Sequence, residues 1–239
     1  MITLFGGPTP NARKIAIALE ELELPWRLEP IDMLRGDQLK PEFLALNPNN
    51  KSPVIIDDEG PDTSPHGGFV LWESGAILWY LAEKTSRLLP LAPGPRAVCH
   101  QWLMFQVSGV GPTFGQNAHF QFYAKERHSY AMERYSNEVN RLLRVLEKRL
   151  GEARWLAGDQ YTIADIATYP FLLRQLTEKQ GRFPELERWA AGIGARPAVQ
   201  RGMAVGREHL RSETIEGGLT GLSDEQRSVL FGPKQYGMP

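Results

Sequence analysis

ITLFGGPTPNARKIAIALEEL, residues 2–22, decides how the rest of the chain is read. Residues 2–5 are a short β-type apolar run, and the loop at 6–14 holds two prolines, two glycines, a threonine and an asparagine. From Asn11 onward, Ile15, Ala16, Leu19 and Leu22 recur at helical spacing. A strand that leaves through a rigid polar loop aimed at a helix start makes a place to hold an anion. Free backbone N–H groups and the positive end of the helix dipole meet there.

The alternation of strand and helix signals continues beyond this stretch. Residues 25–33 read as a second strand, with Pro30 marking an edge position because it cannot donate to a ladder. Residues 40–48 read as a short helix closed by Asn-Pro, 52–57 and 68–72 as two further strands, and 73–84 as an amphipathic helix. The expected order is β-α-β-α-β-β-α, an α/β domain on a small mixed sheet. LLPLAPGPR, residues 88–96, has the composition of a joint between domains. Beyond it strand signals stop. Residues 95–111 and 130–150 have helical periodicity, and 184–194 and 197–210 begin with proline, where the missing N–H costs nothing. TIADIA, residues 162–167, opens a helix that Thr162 and Asp165 close as a capping box. The predicted division is 1–87, a linker at 88–95, an all-helical domain at 96–210 and a loosely attached tail at 211–239.

Composition limits the function. A chain of 239 residues has room for one large domain or two modest ones. A net charge of −1 gives no reason to expect nucleic acid or an anionic membrane as partner. A single cysteine excludes an intrachain disulfide, a CxxC redox pair and a thiolate zinc cluster. No apolar stretch approaches the ~18 to 20 residues that cross a bilayer, and the N-terminus lacks the basic-then-apolar pattern of a signal peptide. The expectation is a cytoplasmic protein without metal.

TPNARK after the first strand, NPNNKSPV before the third, ESGAILWYLAEK and YTIADIA together resemble the cytosolic glutathione transferases, over roughly residues 1–210. GPTFGQNAHF (111–120) and AMERY (131–135) resemble the bacterial Nu class, which includes glutathione-dependent disulfide-bond reductases. The resemblance implies a thioredoxin-like first domain, an all-α second domain and a homodimer. It also implies glutathione as co-substrate, one or two molecules per site.

Thiol chemistry explains why these residues matter. A free cysteine thiol has a pKa near 8.5 and its thiolate is the reactive species, so a glutathione enzyme needs donors for S⁻. The resemblance places Thr9 and Asn11 at the glutathione sulfur, where other classes use tyrosine, serine or cysteine. It makes Pro53 a cis-proline that turns the Val54 backbone toward the ligand. Ser74 takes the γ-glutamyl carboxylate and Glu73 the ammonium; Gln38 and Lys51 take the glycine end. Arg134 points to a second glutathione, and Trp102, Phe105, Phe120 and Asn117 line the second-substrate pocket. Each also has a plainer reading: Thr9, Asn11, Glu73 and Ser74 as helix caps, Pro53 as a strand opener, Gln38 as a solvated loop residue, Arg134 as part of a charged face and the aromatics as core. Cys99, on a predicted helix, reads as a small buried hydrophobe without a catalytic role. The expected activity is reduction of disulfides by bound glutathione thiolate, a second glutathione resolving the mixed disulfide. Conjugation to electrophiles and a non-catalytic binding module are the alternatives.

Overall fold

The computed structural model describes residues 1–61, 67–206 and 222–236. Four strands, β1 (Ile2–Gly6), β2 (Trp26–Pro30), β3 (Val54–Asp57) and β4 (Phe69–Trp72), form one mixed sheet in the order β2-β1-β3-β4. β1 runs parallel to β2 and antiparallel to β3, with Leu4 opposite Ile55 and Phe5 opposite Val54. Pro30 sits on the edge strand, as its missing donor requires. Alternation along the strands sorts the side chains. Ile2, Leu4 and Ile55 turn into the main core, while Phe5, Val54 and Ile56 turn onto Phe43 and Leu46 of α2 (Pro41–Leu46).

Helices α1 (Pro10–Leu22) and α3 (Ser74–Thr85) cover the main-core face of the sheet. The helical domain begins at α4 (Pro93–Phe105), slightly before the predicted boundary, because Pro93 fits the first turn of a helix. The rod does not stop near residue 111 as expected. It continues through a wide π turn at Gln106–Val110, α5 (Gly111–Ala118) and a second π turn at His119–Tyr123. Gly111 and Pro112 stand at the start of α5, where proline breaks nothing. Then come α6 (Ser129–Glu152), α7 (Ile163–Glu178), α8 (Pro184–Gly194) and α9 (Pro197–Ala204). The end of the helix expected over 197–210 lies outside the described residues.

The two domains share one core. Ile15, Leu19, Ile77 and Leu81 pack in a single cluster with Leu103, Ile166, Leu172 and Trp189. α9 presses on α1 so closely that a Cβ on Gly202 would lie 2.6 Å from the Ile17 backbone. Arg196 holds buried Glu21 through two bonds of 2.6 and 2.7 Å, and Arg201 holds Glu20 at 2.6 Å. The helix that starts at the polar loop is therefore fixed from the other domain.

The tail corrects the sequence reading. Its described part is not loose: α10 (Asp224–Phe231) and α11 (Pro233–Tyr236) follow a Ser223/Gln226 capping box. Val229 and Leu230 are buried, and the Phe231 ring lies 4.6 Å from His119 and 5.8 Å from Tyr123. Arg227 donates to the Tyr123 carbonyl, and Asn50 donates to the Gln235 carbonyl at 3.5 Å. The segment bridges the first domain and the second π turn. Ser-x-x-Gln before an apolar run was its sequence signal. Among the described residues no helix is long and apolar enough to cross a membrane.

Candidate active site

The polar loop delivers Thr9 as the N-cap of α1, extended at φ −89° and ψ 153°, with Pro10 at the first helical position. Thr9 Oγ1 accepts from the Ala12 N–H at 3.3 Å, which leaves its own hydroxyl proton to donate elsewhere. Asn11 does not cap; it sits inside the first turn, half-buried. Its Oδ1 lies 3.5 Å from the Ser74 hydroxyl, across the gap between α1 and α3. The two loop residues and Ser74 are thus brought together at the N-termini of two helices, where anions are favoured.

Glu73 corrects part of the sequence reading. It occupies the N-cap position of α3 but makes no side-chain cap bond. Its φ of 72° is strained for a residue with a Cβ, a cost of roughly 1 to 3 kcal/mol that recurs at functional sites. The exposed carboxylate is left available to a cation, while its backbone starts the helix by accepting from the Ile77 N–H at 2.9 Å. Glu73 therefore starts α3 through its backbone and does not cap it with its side chain.

The Ser52–Pro53 bond is cis, as expected, and places Val54 at the head of β3. Gln38 is not a solvated loop residue. It is 1% exposed on a short 3-10 turn, donates to the Met33 carbonyl at 3.3 Å, and keeps its Oε1 buried without a partner among the described residues. Ser52 Oγ is orphaned in the same way. Buried polar atoms without partners are uncommon, and Ser52 Oγ lies against the start of the polar loop, 3.2 Å from where a Cβ on Gly6 would stand. Lys51, next to Ser52 in the chain, is exposed.

The residues predicted from the helical domain lie on the rod and on α6. Arg134 is exposed on α6, 3.8 Å from Glu138 one turn on. Trp102 and Phe105, both half-buried, pack edge to face at 5.4 Å along the border of the main core. Phe120 stacks on Tyr135 at 5.5 Å, and Asn117 accepts from Ser136 at 3.1 Å; both fasten the rod to α6. Cys99 is fully buried, and burial pushes its thiol pKa up, the opposite of activation.

Sequence reading missed Lys14. It is 1% exposed, with Nζ donating to Gln106 Oε1 at 2.8 Å, 3.3 Å from Ser74 Oγ and 4.7 Å from the centre of the Phe171 ring. Burial pulls its pKa from 10.5 to about 7, with Glu73 opposing. The signal was a charged residue three and four positions before Ile17 and Ala18, hence on the buried face of the helix. Gln106, its partner, comes from the first π turn, a form of helix common at functional sites. An open depression of about 470 Å³ lined by Arg144, Lys148, Lys179 and Arg182 lies elsewhere and shares none of these residues.

Comparison with known proteins bears on this geometry. The family model for the glutathione S-transferase N-terminal domain matches residues 9–84, and that for the C-terminal domain matches 112–197. The chain is 45% identical over 203 residues to the disulfide-bond oxidoreductase YfcG of Escherichia coli, covering 83% of this chain and 93% of that one. A solved glutathione transferase from Burkholderia graminis, with two glutathione molecules bound per subunit, superposes with TM-score 0.79 at 45% identity, covering 85% of this chain and 87% of that one. One from Pseudomonas putida, with one glutathione disulfide per subunit, gives TM-score 0.77 at 42% identity over 84% and 90% of the two chains.

Proposed function

The chain belongs to the glutathione S-transferase family, and from that premise we propose that it is a glutathione-dependent disulfide reductase of the Nu type. The observation that carries this reading is the meeting of Thr9, Asn11 and Ser74 at two helix starts, in a chain whose only cysteine is buried away from them. Glutathione lies with its γ-glutamyl carboxylate on Ser74, its ammonium on Glu73, its peptide along Val54 and its glycine end toward Gln38 and Lys51. Thr9 and Asn11 donate to the sulfur and hold it as thiolate.

The thiolate attacks one sulfur of a disulfide, forming a mixed disulfide with glutathione and expelling the other sulfur as thiolate, which takes a proton from water. A second glutathione thiolate then attacks the glutathione sulfur of the mixed disulfide. Glutathione disulfide forms and the second substrate thiol leaves. Electrons balance without a protein cysteine. The relative with two bound glutathiones and the relative with glutathione disulfide support this sequence. Arg134 serves the second molecule only if α6 brings it there on binding.

We place the protein in the cytoplasm, where glutathione is abundant and reduced, as a homodimer. Exposed Trp72 on β4 and Met104 on α4 are apolar surface that a two-fold partner would cover. The test is steady-state turnover of bis(2-hydroxyethyl) disulfide with glutathione, against conjugation of 1-chloro-2,4-dinitrobenzene. Disulfide turnover that far exceeds conjugation supports the reading; conjugation alone overturns it.

A further inference from the structure

Lys14 has a place in this site that the reaction above does not use. Its Nζ is 3.3 Å from Ser74 Oγ and 2.8 Å from Gln106 Oε1, in a buried space closed by the Phe171 ring. Gln106 Oε1 can only accept, so it takes one Nζ proton whether Lys14 is an ammonium or an amine. Ser74 Oγ is different, because a hydroxyl both donates and accepts. Toward an ammonium it must accept, and its own proton then points away, toward Asn11 Oδ1 at 3.5 Å and the cleft. Toward an amine, the lone pair on Nζ draws the Ser74 proton inward, and the hydroxyl turns its oxygen to the cleft. An arriving carboxylate meets a donor in the first state and an acceptor in the second.

We propose that Lys14 is a proton-linked positioning residue, whose protonation turns the Ser74 hydroxyl toward the ligand carboxylate, so that glutathione binds with uptake of a proton. The proposal rests on the glutathione reading above. The surroundings suit it. Burial favours the neutral amine in the free protein and brings its titration to about pH 7. Glu73, at the start of α3, is the charged group that opposes burial. From the helical domain, the π turn offers neutral Gln106 and α7 the Phe171 ring. The guanidinium groups of Arg196, the N-cap of α9, and Arg201, within α9, are held by Glu21 and Glu20 on α1. A bound carboxylate adds a negative charge beside Ser74 and so favours the ammonium.

The experiment is calorimetric titration with S-methylglutathione, which has no thiol to titrate, in two buffers of different ionisation enthalpy. The wild-type protein is expected to take up close to one proton per site near pH 8 and close to none near pH 5.5. Affinity should fall by up to about tenfold per pH unit between those limits once Lys14 is neutral in the free protein. Lys14→Met should bind more weakly at pH 6.5, with no uptake and a flat pH profile. If that variant does not fold, Ser74→Ala replaces it, since it removes the hydroxyl that the charge turns. Wild-type binding without proton uptake, or full uptake in either variant, overturns the proposal alone. No binding by the wild-type protein at any pH overturns the glutathione reading instead.

Discussion

Two fully buried charges, Asp165 and Lys14, show how differently the scaffold and the site are built. Asp165 is 0% exposed and receives four donors: the Leu156 and Thr162 N–H groups at 3.0 Å, the Thr162 hydroxyl at 3.1 Å and the Trp189 indole at 2.8 Å. Burial pushes its pKa up and all four donors pull it back. Lys14, equally buried, has two neutral hydrogen-bonding partners, and burial brings its titration to about pH 7. A charge that the fold needs is saturated with partners. A charge that is left poised lies next to the residues assigned to the ligand.

The largest effect expected falls on the scaffold. Asp165→Ala leaves the Trp189 indole and two backbone N–H groups buried without partners and removes the α7 capping box. The cost should be about 3 kcal/mol or more, read as a lower urea midpoint. From sequence the capping box alone suggested about 1 kcal/mol; the extra comes from Leu156 and Trp189, which no local pattern reveals. A loss near 1 kcal/mol would mean that the four donors find other partners.

That contrast also marks what the sequence made legible. Capping, periodicity and proline placement are local, so α7, α8 and the four strands could be read from residues within a turn of each other. The Thr9, Asn11 and Ser74 group was reached through motif resemblance, and the structure joins it by one contact across the domain. The Lys14–Gln106 pair spans two domains, and nothing within a turn of Lys14 announces a partner on α4's π turn. The docked tail was read as loose from Gly217-Gly218 and a polar run, although the capping box at Ser223 and Gln226 was visible.

Next in size is Ser74→Ala. A hydrogen bond to a charged carboxylate is worth about 1.5 to 3 kcal/mol, so glutathione affinity should fall roughly tenfold to a hundredfold with the fold intact. Unchanged affinity would reduce Ser74 to a structural residue and break the contrast.

Lys14→Met sharpens it from the stability side. Folded Lys14 titrates at about 7 and unfolded lysine at 10.5, so between these values the unfolded chain holds more protons and wild-type stability rises with pH. At pH 6 the wild-type fold must bury a cation, and the variant should be more stable by about 2 kcal/mol. The gap should narrow by pH 9. A variant less stable at pH 6 would show that Lys14 belongs with Asp165 as scaffold.

Smaller still are the loop variants. If Thr9 and Asn11 each donate to the sulfur, Thr9→Ala and Asn11→Ala should each raise the pKa of bound glutathione by about one unit, or 1.4 kcal/mol. Thiolate absorbance followed against pH measures this. Thr9→Ala should also lower stability slightly, because its Oγ1 caps α1; Asn11→Ala should not.

The most direct test of the central claim, that the sulfur chemistry belongs to glutathione and not to the protein, expects no effect at all. Cys99→Ser makes the chain cysteine-free. Its glutathione-dependent reduction of bis(2-hydroxyethyl) disulfide should proceed at the wild-type rate. A folded Cys99→Ser protein that binds glutathione but no longer reduces the disulfide would contradict the account.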